Sequence, residues 1–348
     1  MNILKSSLYK DDLKRTLDKL NLSQLKGKKI LITGGLGLIC SAAVDLLIVA
    51  NQVLQLDIHI YVAARSRSKF DDRFGDCENV TYVQYDANKN VHFSFHADYI
   101  IHGASLASPE KYTAEPVETM LSNIYGIINL LRYAEKEKTE RVLYISSSEV
   151  YGKKRTNEPF IEDVYGSVNL DSLRSSYAVS KQASELLCKA FSAEYGVDTV
   201  IVRPGHIFGP SASVTDKRVS SDFAFKAANN EPIVLKSSGL QKRSYCYSVD
   251  AAASILMVLL RGKKAEAYNI GTKEVLTIRE MAENFARAGN VPLKYAAPTD
   301  DEIATFNPMN DSSLNCDKLY AMGFQNLCGA LEAMEHTVKI LQECKESG

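Results

Sequence analysis

A chain of 348 residues with 45% hydrophobic and 24% charged side chains can bury a large core unaided, and its composition excludes disorder on a large scale. The formal net charge of −1 leaves no field that would gather a polyphosphate backbone, and the Lys/Arg clusters are short runs such as residues 26–29, so nucleic acid is not an expected partner. Seven cysteines, odd in number and without a CxxC pair, argue against a disulfide framework or a zinc ribbon and for a reducing compartment.

The first twenty residues lack the unbroken apolar stretch of a signal peptide, and no segment offers about 18 uncharged apolar residues, which predicts a cytoplasmic chain without a membrane span. Within residues 1–27, Leu13, Leu17 and Leu20 recur at helical spacing, predicting an extension that packs on the rest of the chain. From Lys28, β-rich apolar runs at 28–33, 58–63, 80–85, 98–103, 141–146 and 198–203 alternate with helical patterns. That rhythm predicts an α/β fold, a doubly wound parallel sheet with crossover helices. Val117, Met120, Leu121, Ile124, Ile127, Ile128 and Leu131 mark one long helix, and Val179, Ala183, Leu186, Leu187, Ala190 and Phe191 mark another. These two helices, near 115–135 and 175–195, are expected to pack together and to form a homodimer interface. Beyond Pro204 come loops and shorter helices at 221–229, 276–288 and about 327–343, with a further strand at 267–271. The expected division is a helical extension (1–27), a dinucleotide-binding domain (28–203 with a returning segment near 243–271), and a smaller interleaved region (204–242 and 272–348) that covers substrate.

The run Thr33-Gly34-Gly35-Leu36-Gly37-Leu38-Ile39-Cys40 follows the first strand and opens a helix. Such a turn brings backbone close to a dinucleotide pyrophosphate and aims a helix N-terminus at its charge, which assigns Gly34, Gly35, Leu36, Gly37, Leu38 and Ile39 to cofactor binding. Cys40 stands where the usual third glycine allows close helix packing. The second strand ends in Ala64-Arg65-Ser66-Arg67, without the carboxylate that binds the adenosine ribose hydroxyls in NAD sites. Arg65, Ser66 and Arg67 suit a 2′-phosphate, so the cofactor is NAD or NADP with the basic run pointing to NADP. Asp86, with Ala87 beside it, ends the third strand and could accept from the adenine amino group; Ala104 completes the cofactor set.

The fifth strand delivers Ser147, Ser148 and Glu149 to the carboxyl edge of the sheet, and Tyr177 and Lys181 lie one helical turn apart further on. A phenol is a poor base at neutral pH, but an adjacent ammonium and an oxidised nicotinamide favour its phenolate. Tyr177 is therefore the expected proton acceptor, Lys181 the ligand of the nicotinamide ribose, and Ser147 the partner of the substrate oxygen.

In its TGGLGLI, HGASLASP, ISSSEVYG, YAVSK, RPGHIFGP and GLQKRSYCYSVD segments the chain resembles the extended short-chain dehydrogenase/reductase family, in its nucleotide-sugar epimerase/dehydratase branch, over about residues 28–325. The resemblance implies a Rossmann-type fold and an NAD(P)-dependent enzyme that oxidises sugar C4 and usually returns the hydride. It also implies a nucleotide sugar as substrate, with contacts from Ser108, Ser148, Arg174, His206 and Arg243.

Ser148-Glu149 departs from the acidic pair of the 4,6-dehydratases and resembles UDP-glucuronate decarboxylases, as do Ala107-Ser108-Pro109 with Tyr112, and Arg174 three residues before Tyr177. A C4 ketone would make a C6 carboxylate a β-keto acid that loses carbon dioxide without a strong base; Arg174 or Arg243 would bind the carboxylate or protonate the enolate region, and Glu149 would organise a proton or water. Arg174 is equally readable as a surface or helix-capping cation. Two departures from the branch stand out: His206 replaces its usual Asn, and Phe306-Asn307-Pro308 replaces its Arg-rich motif. A C4 epimerase, an NADP-dependent ketosugar reductase and a non-catalytic NAD(P) sensor are the alternatives.

Overall fold

The computed structural model describes residues 2–90, 92–154, 156, 158–299 and 310–346, so Phe306-Asn307-Pro308 lies outside the described residues. The strands are β1 (Lys29–Thr33), β2 (His59–Ala64), β3 (Val80–Gln84), β4 (Tyr99–His102), β5 (Arg141–Ile145), β6 (Thr199–Pro204), β7 (His206–Phe208), β8 (Ile233–Leu235), β9 (Lys242–Arg243), β10 (Tyr245–Tyr247), β11 (Ala267–Ile270), β12 (Leu276–Thr277) and β13 (Leu293–Tyr295). The helices are α1 (Ser7–Leu17), α2 (Leu38–Leu54), α3 (Arg67–Phe74), α4 (Pro109–Ala114), α5 (Pro116–Glu137), α6 (Ser175–Glu194), α7 (Val219–Ala228), α8 (Ser248–Arg261), α9 (Ile278–Gly289), α10 (Asp317–Tyr320) and α11 (Ala330–Glu346).

Seven strands form one parallel sheet in the order β11-β6-β5-β4-β1-β2-β3, so all seven runs read from the sequence are strands of the same sheet. Ile32 registers with Val62 of β2 and Ile101 of β4, and this row faces α2 and α8 together with Ile30 and Val202. The alternate row, Leu31, Ala63, Ile100, Val142 and Ile201, faces α5 and α6. Alternation along each strand therefore fills both faces, which is why the strands read as nearly continuous apolar runs. The expected pairing of the two long helices is present, since α5 and α6 pack side by side, with Asn123 of α5 donating to Ser180 Oγ of α6 at 3.0 Å. β8 and β13 pair parallel beside α7, α9 and α11 to build the smaller second lobe.

The N-terminal extension packs on the fold. Leu13 and Leu17 are buried, Tyr9 donates to Asp45 Oδ2 of α2 at 2.8 Å, and Asp12 accepts from Tyr247 at 3.0 Å while lying 3.0 Å from His336 Nδ1 of α11. Ser6 caps α1 by accepting from the Tyr9 amide at 3.1 Å and donates to Glu343 at 2.8 Å.

The sheet reverses its winding between β1 and β4, and there the backbones touch. Gly34 has φ +69°, and a Cβ on it would lie 2.8 Å from the Ala104 nitrogen and the Gly103 carbonyl. Cys40 fits without a glycine at its own position because Gly103 faces it: a Cβ on Gly103 would overlap the Cys40 Sγ. The missing small residue of the helix has moved to the strand opposite. Gly103→Ala should therefore cost about 1–3 kcal/mol by overpacking, and Cys40→Ala in the same chain should return most of it, as read from denaturant midpoints of the two single variants and the double.

Candidate active site

The glycine turn ends at Gly37, the N-cap residue of α2, and the amides of Leu38, Ile39 and Cys40 have no backbone acceptor among the described residues. Three donors at a helix N-terminus, reached over a turn whose glycines leave no room for side chains, are the cradle a pyrophosphate requires, so the residues fit a dinucleotide. Ala104 lies directly against Gly34, its amide donating to Thr33 Oγ1 at 3.3 Å.

At the far end of β2 the three polar residues behave differently. Ser66 caps α3 by accepting from the Lys69 amide at 3.3 Å; Arg67 pairs with Asp71 at 2.8 Å and lies over the Tyr82 ring. Arg65 is exposed. Asp86 spends one carboxylate oxygen on the Asn88 amide at 3.1 Å, and Ala87 packs near Gly126.

The acid–base group gathers where β5 ends and α6 begins. Ser147 accepts from the Glu149 amide at 3.2 Å and starts a short 3-10 turn, Ser148–Tyr151, in which Ser148 is buried. Tyr177 is buried and its ring stacks on that of Tyr112, centroids 5.0 Å apart. Lys181 Nζ is buried, donates to the Ile145 carbonyl at 2.7 Å and lies 5.8 Å from the Tyr177 ring centroid. Burial pulls Lys181 down to about 7, and burial with the Glu149 charge pushes Tyr177 up to about 12 against the opposing Ser147 hydroxyl and Arg218 guanidinium. The Arg218 guanidinium is a cation that favours the Tyr177 phenolate; it pairs with Asp216 at 3.0 Å just ahead of α7 and looks like any loop ion pair in sequence, so nothing local marks it.

Arg174 is neither a surface cation nor a side-chain cap. Its guanidinium grips Glu149 through Nη1 at 3.0 Å and Nη2 at 3.1 Å, and Nη2 also donates to the Tyr112 hydroxyl at 3.1 Å. Ser108 is half-buried and its carbonyl accepts the Tyr112 amide at 3.1 Å, at the start of α4.

The second wall carries His206 and Arg243. Arg243 is buried, donates to the Lys242 carbonyl at 2.8 Å, and its proton affinity is lowered by burial while Tyr245, Asp311 and Glu149 oppose. His206 Nε2 lies 3.0 Å from Ser312 Oγ, and burial with the Arg243 and Arg218 charges pulls its imidazole down to about 3. Glu149, Tyr177 and Lys181 therefore share one centre, with Arg218 bearing on Tyr177 and Arg243 on Glu149, and His206 lies within the field of both arginines; Arg65, Ser66 and Arg67 sit apart, at the end of β2.

A doubly wound parallel sheet with a glycine turn at its switch point is the architecture of dinucleotide-dependent α/β enzymes. The chain belongs to the NAD-dependent epimerase/dehydratase family, whose model matches residues 30–271. It is 31% identical over 280 residues to UDP-glucuronic acid decarboxylase 6 of Arabidopsis thaliana, covering 79% of this chain and 78% of the plant protein. It is 31% identical over 262 residues to UDP-glucuronic acid decarboxylase 1 of Danio rerio, covering 75% of this chain and 61% of that one. Among solved structures, an epimerase from Methanothermobacter thermautotrophicus superposes with TM-score 0.81 at 21% identity, covering 98% of this chain and 97% of the other. A UDP-glucose 4-epimerase of Thermotoga maritima, solved with UDP-glucose, superposes with TM-score 0.77 at 20% identity, covering 91% and 99%. Among the described residues no helix is long and apolar enough to cross a membrane.

Under the site, His102 at the end of β4 is buried, its Nδ1 2.6 Å from Thr33 Oγ1, and burial beside Lys181 pulls it down to about 3. An unfolded histidine takes a proton near pH 6.5, whereas this one does so only near 3. Its contribution to stability is present above pH 6.5 and is lost as pH falls towards the folded value. The melting temperature should fall between pH 7 and pH 5, and fall less in His102→Gln, as measured by scanning calorimetry at both pH values.

Proposed function

We propose that the chain decarboxylates a nucleotide uronate such as UDP-glucuronate by transient oxidation at sugar C4. The observation that carries this reading is Glu149: it is the carboxylate bearing on Tyr177, it follows a serine instead of a second acid, and Arg174 neutralises it. A dehydratase needs a free acid and base at these positions; a decarboxylase does not, because a C4 ketone already labilises C6.

NAD(P), when bound, would supply the acceptor and donor of the C4 hydride. Tyr177 accepts the C4 hydroxyl proton and later returns it, with Ser147 hydrogen-bonded to the same oxygen. Lys181 holds the nicotinamide ribose. Glu149 organises a proton or water for the enolate left by carbon dioxide, and Arg243, His206, Ser108 and Ser148 hold the diphosphate and sugar. Residues 28–203 with the segment near 243–271 serve the dinucleotide in this reading, and 204–242 with 272–348 serve the substrate. Seven free cysteines support a cytoplasmic site of action.

Exposed Arg65 favours NADP over NAD, since Ser66 and Arg67 beside it are committed to α3. It also favours a second reading, an NADP-dependent ketosugar reductase. Incubation with UDP-glucuronate and either NAD or NADP should yield a pentose nucleotide and carbon dioxide with no net change in reduced cofactor, and Tyr177→Phe should lower the rate by roughly 10²–10⁴-fold. One equivalent of NADPH oxidised per product would point to the reductase, and inversion at C4 without carbon dioxide to an epimerase.

We also propose a homodimer through α5 and α6, supported by the exposed Val117, Leu121 and Tyr125 of α5 and Leu186 of α6. Sedimentation should give twice the chain mass, and Leu186→Glu should shift it towards the monomer.

A further inference from the structure

Arg174 has the chemistry to bind a substrate carboxylate, yet both of its terminal nitrogens are already occupied, and its remaining donor, Nε, is buried. Both of its terminal nitrogens lie on Glu149, at 3.0 and 3.1 Å, and one of them also serves the Tyr112 hydroxyl at 3.1 Å, which itself donates to Glu149 at 3.3 Å. Three side chains from three separate elements therefore close a ring of hydrogen bonds, and a two-pronged guanidinium–carboxylate pair is the strong form of this contact.

The ring is fixed on every side. Arg174 Cζ lies 5.3 Å from the Tyr112 ring centroid, and the Tyr112 ring is stacked at 16° on that of Tyr177. Ser176, next to Tyr177, donates to the Tyr112 carbonyl at 3.3 Å, and the Glu149 amide is held by Ser147 at 3.2 Å. Tyr112 and Arg174 thus form successive layers over Tyr177, with Glu149 clamped at their edge.

We infer that Arg174 is a positioning residue for proton transfer at Tyr177: it holds Glu149 and Tyr112 in place and cancels the Glu149 charge, and it is not the ligand of the substrate carboxylate. The inference rests on Tyr177 being the proton acceptor in the proposed reaction, but not on which sugar is oxidised.

The groups facing Tyr177 are Glu149 from the turn after β5, Tyr112 from α4, Lys181 from its own helix, Arg218 from the segment before α7, and the Ser147 and Ser105 hydroxyls; Arg243 faces Glu149 from β9. Among them Glu149 raises the proton affinity of Tyr177. With Arg174 gone, that charge stands unscreened and the phenolate becomes harder to form.

The test is the near-ultraviolet phenolate absorbance of the NAD-saturated protein, taken as the difference from Tyr177→Phe and followed against pH. Arg174→Met should move the inflection up by about one pH unit, Arg174→Lys should restore most of the shift, Glu149→Gln should move it down, and the Arg174→Met/Glu149→Gln double variant should return to near the wild type. With UDP-glucuronate, Arg174→Met should lose roughly tenfold in kcat at neutral pH with KM unchanged. Coincident inflections in all the variants overturn the inference, as does a tenfold rise in KM with kcat preserved. Absence of turnover by the wild-type protein defeats the decarboxylase reading alone, because the titration needs no sugar.

Discussion

The close approach of β1 to β4 is the constraint on which the site depends. Two glycines, Gly34 and Gly103, let the backbones meet where the sheet reverses its winding, and the Thr33 hydroxyl joins the strand ends by contacting both His102 and the Ala104 amide. Were the strands held apart there, α2 would start further from the sheet edge and its free amides would point elsewhere. The Cys40–Gly103 exchange shows that the constraint is on shared volume, not on which residue is small.

On that edge, burial acts on two titrating groups in opposite senses. It lowers Lys181 to about 7 and raises Tyr177 to about 12, penalising the charged form of each. Passing a proton from the phenol to the amine would create two charges in a dry place. The centre is therefore poised by groups arranged around it, with Arg218 and Ser147 favouring the phenolate and Glu149 opposing it.

Much of this was legible in the sequence. The seven strands, α5, α6 and the glycine turn carry local signals: apolar runs, helical spacing, and glycines at a strand–helix junction. α8 is hidden within the returning segment because Ser248–Leu259 is buried all round, so no polar face marks its period. The partners of Arg174 were illegible for another reason: Glu149 lies 25 residues away and Tyr112 lies 62 away, and only the folded sheet edge brings them together. The roles of Arg218 and Gly103 carry no local signal either, since an arginine beside an aspartate and a glycine after a strand have many ordinary explanations.

The seating of α1 has a consequence for synthesis. Its Tyr9 meets Asp45 close by in the chain, whereas its buried Asp12 meets Tyr247 and His336, and Ser6 meets Glu343, so part of its seat comes from residues made much later. Contacts separated by over 300 residues cannot form until the later partner has been made. On the ribosome α1 can rest on α2 early, but its remaining flank stays open until α8 and α11 have followed. The seat of α1 is thus begun by its neighbour in the chain and closed only by α11.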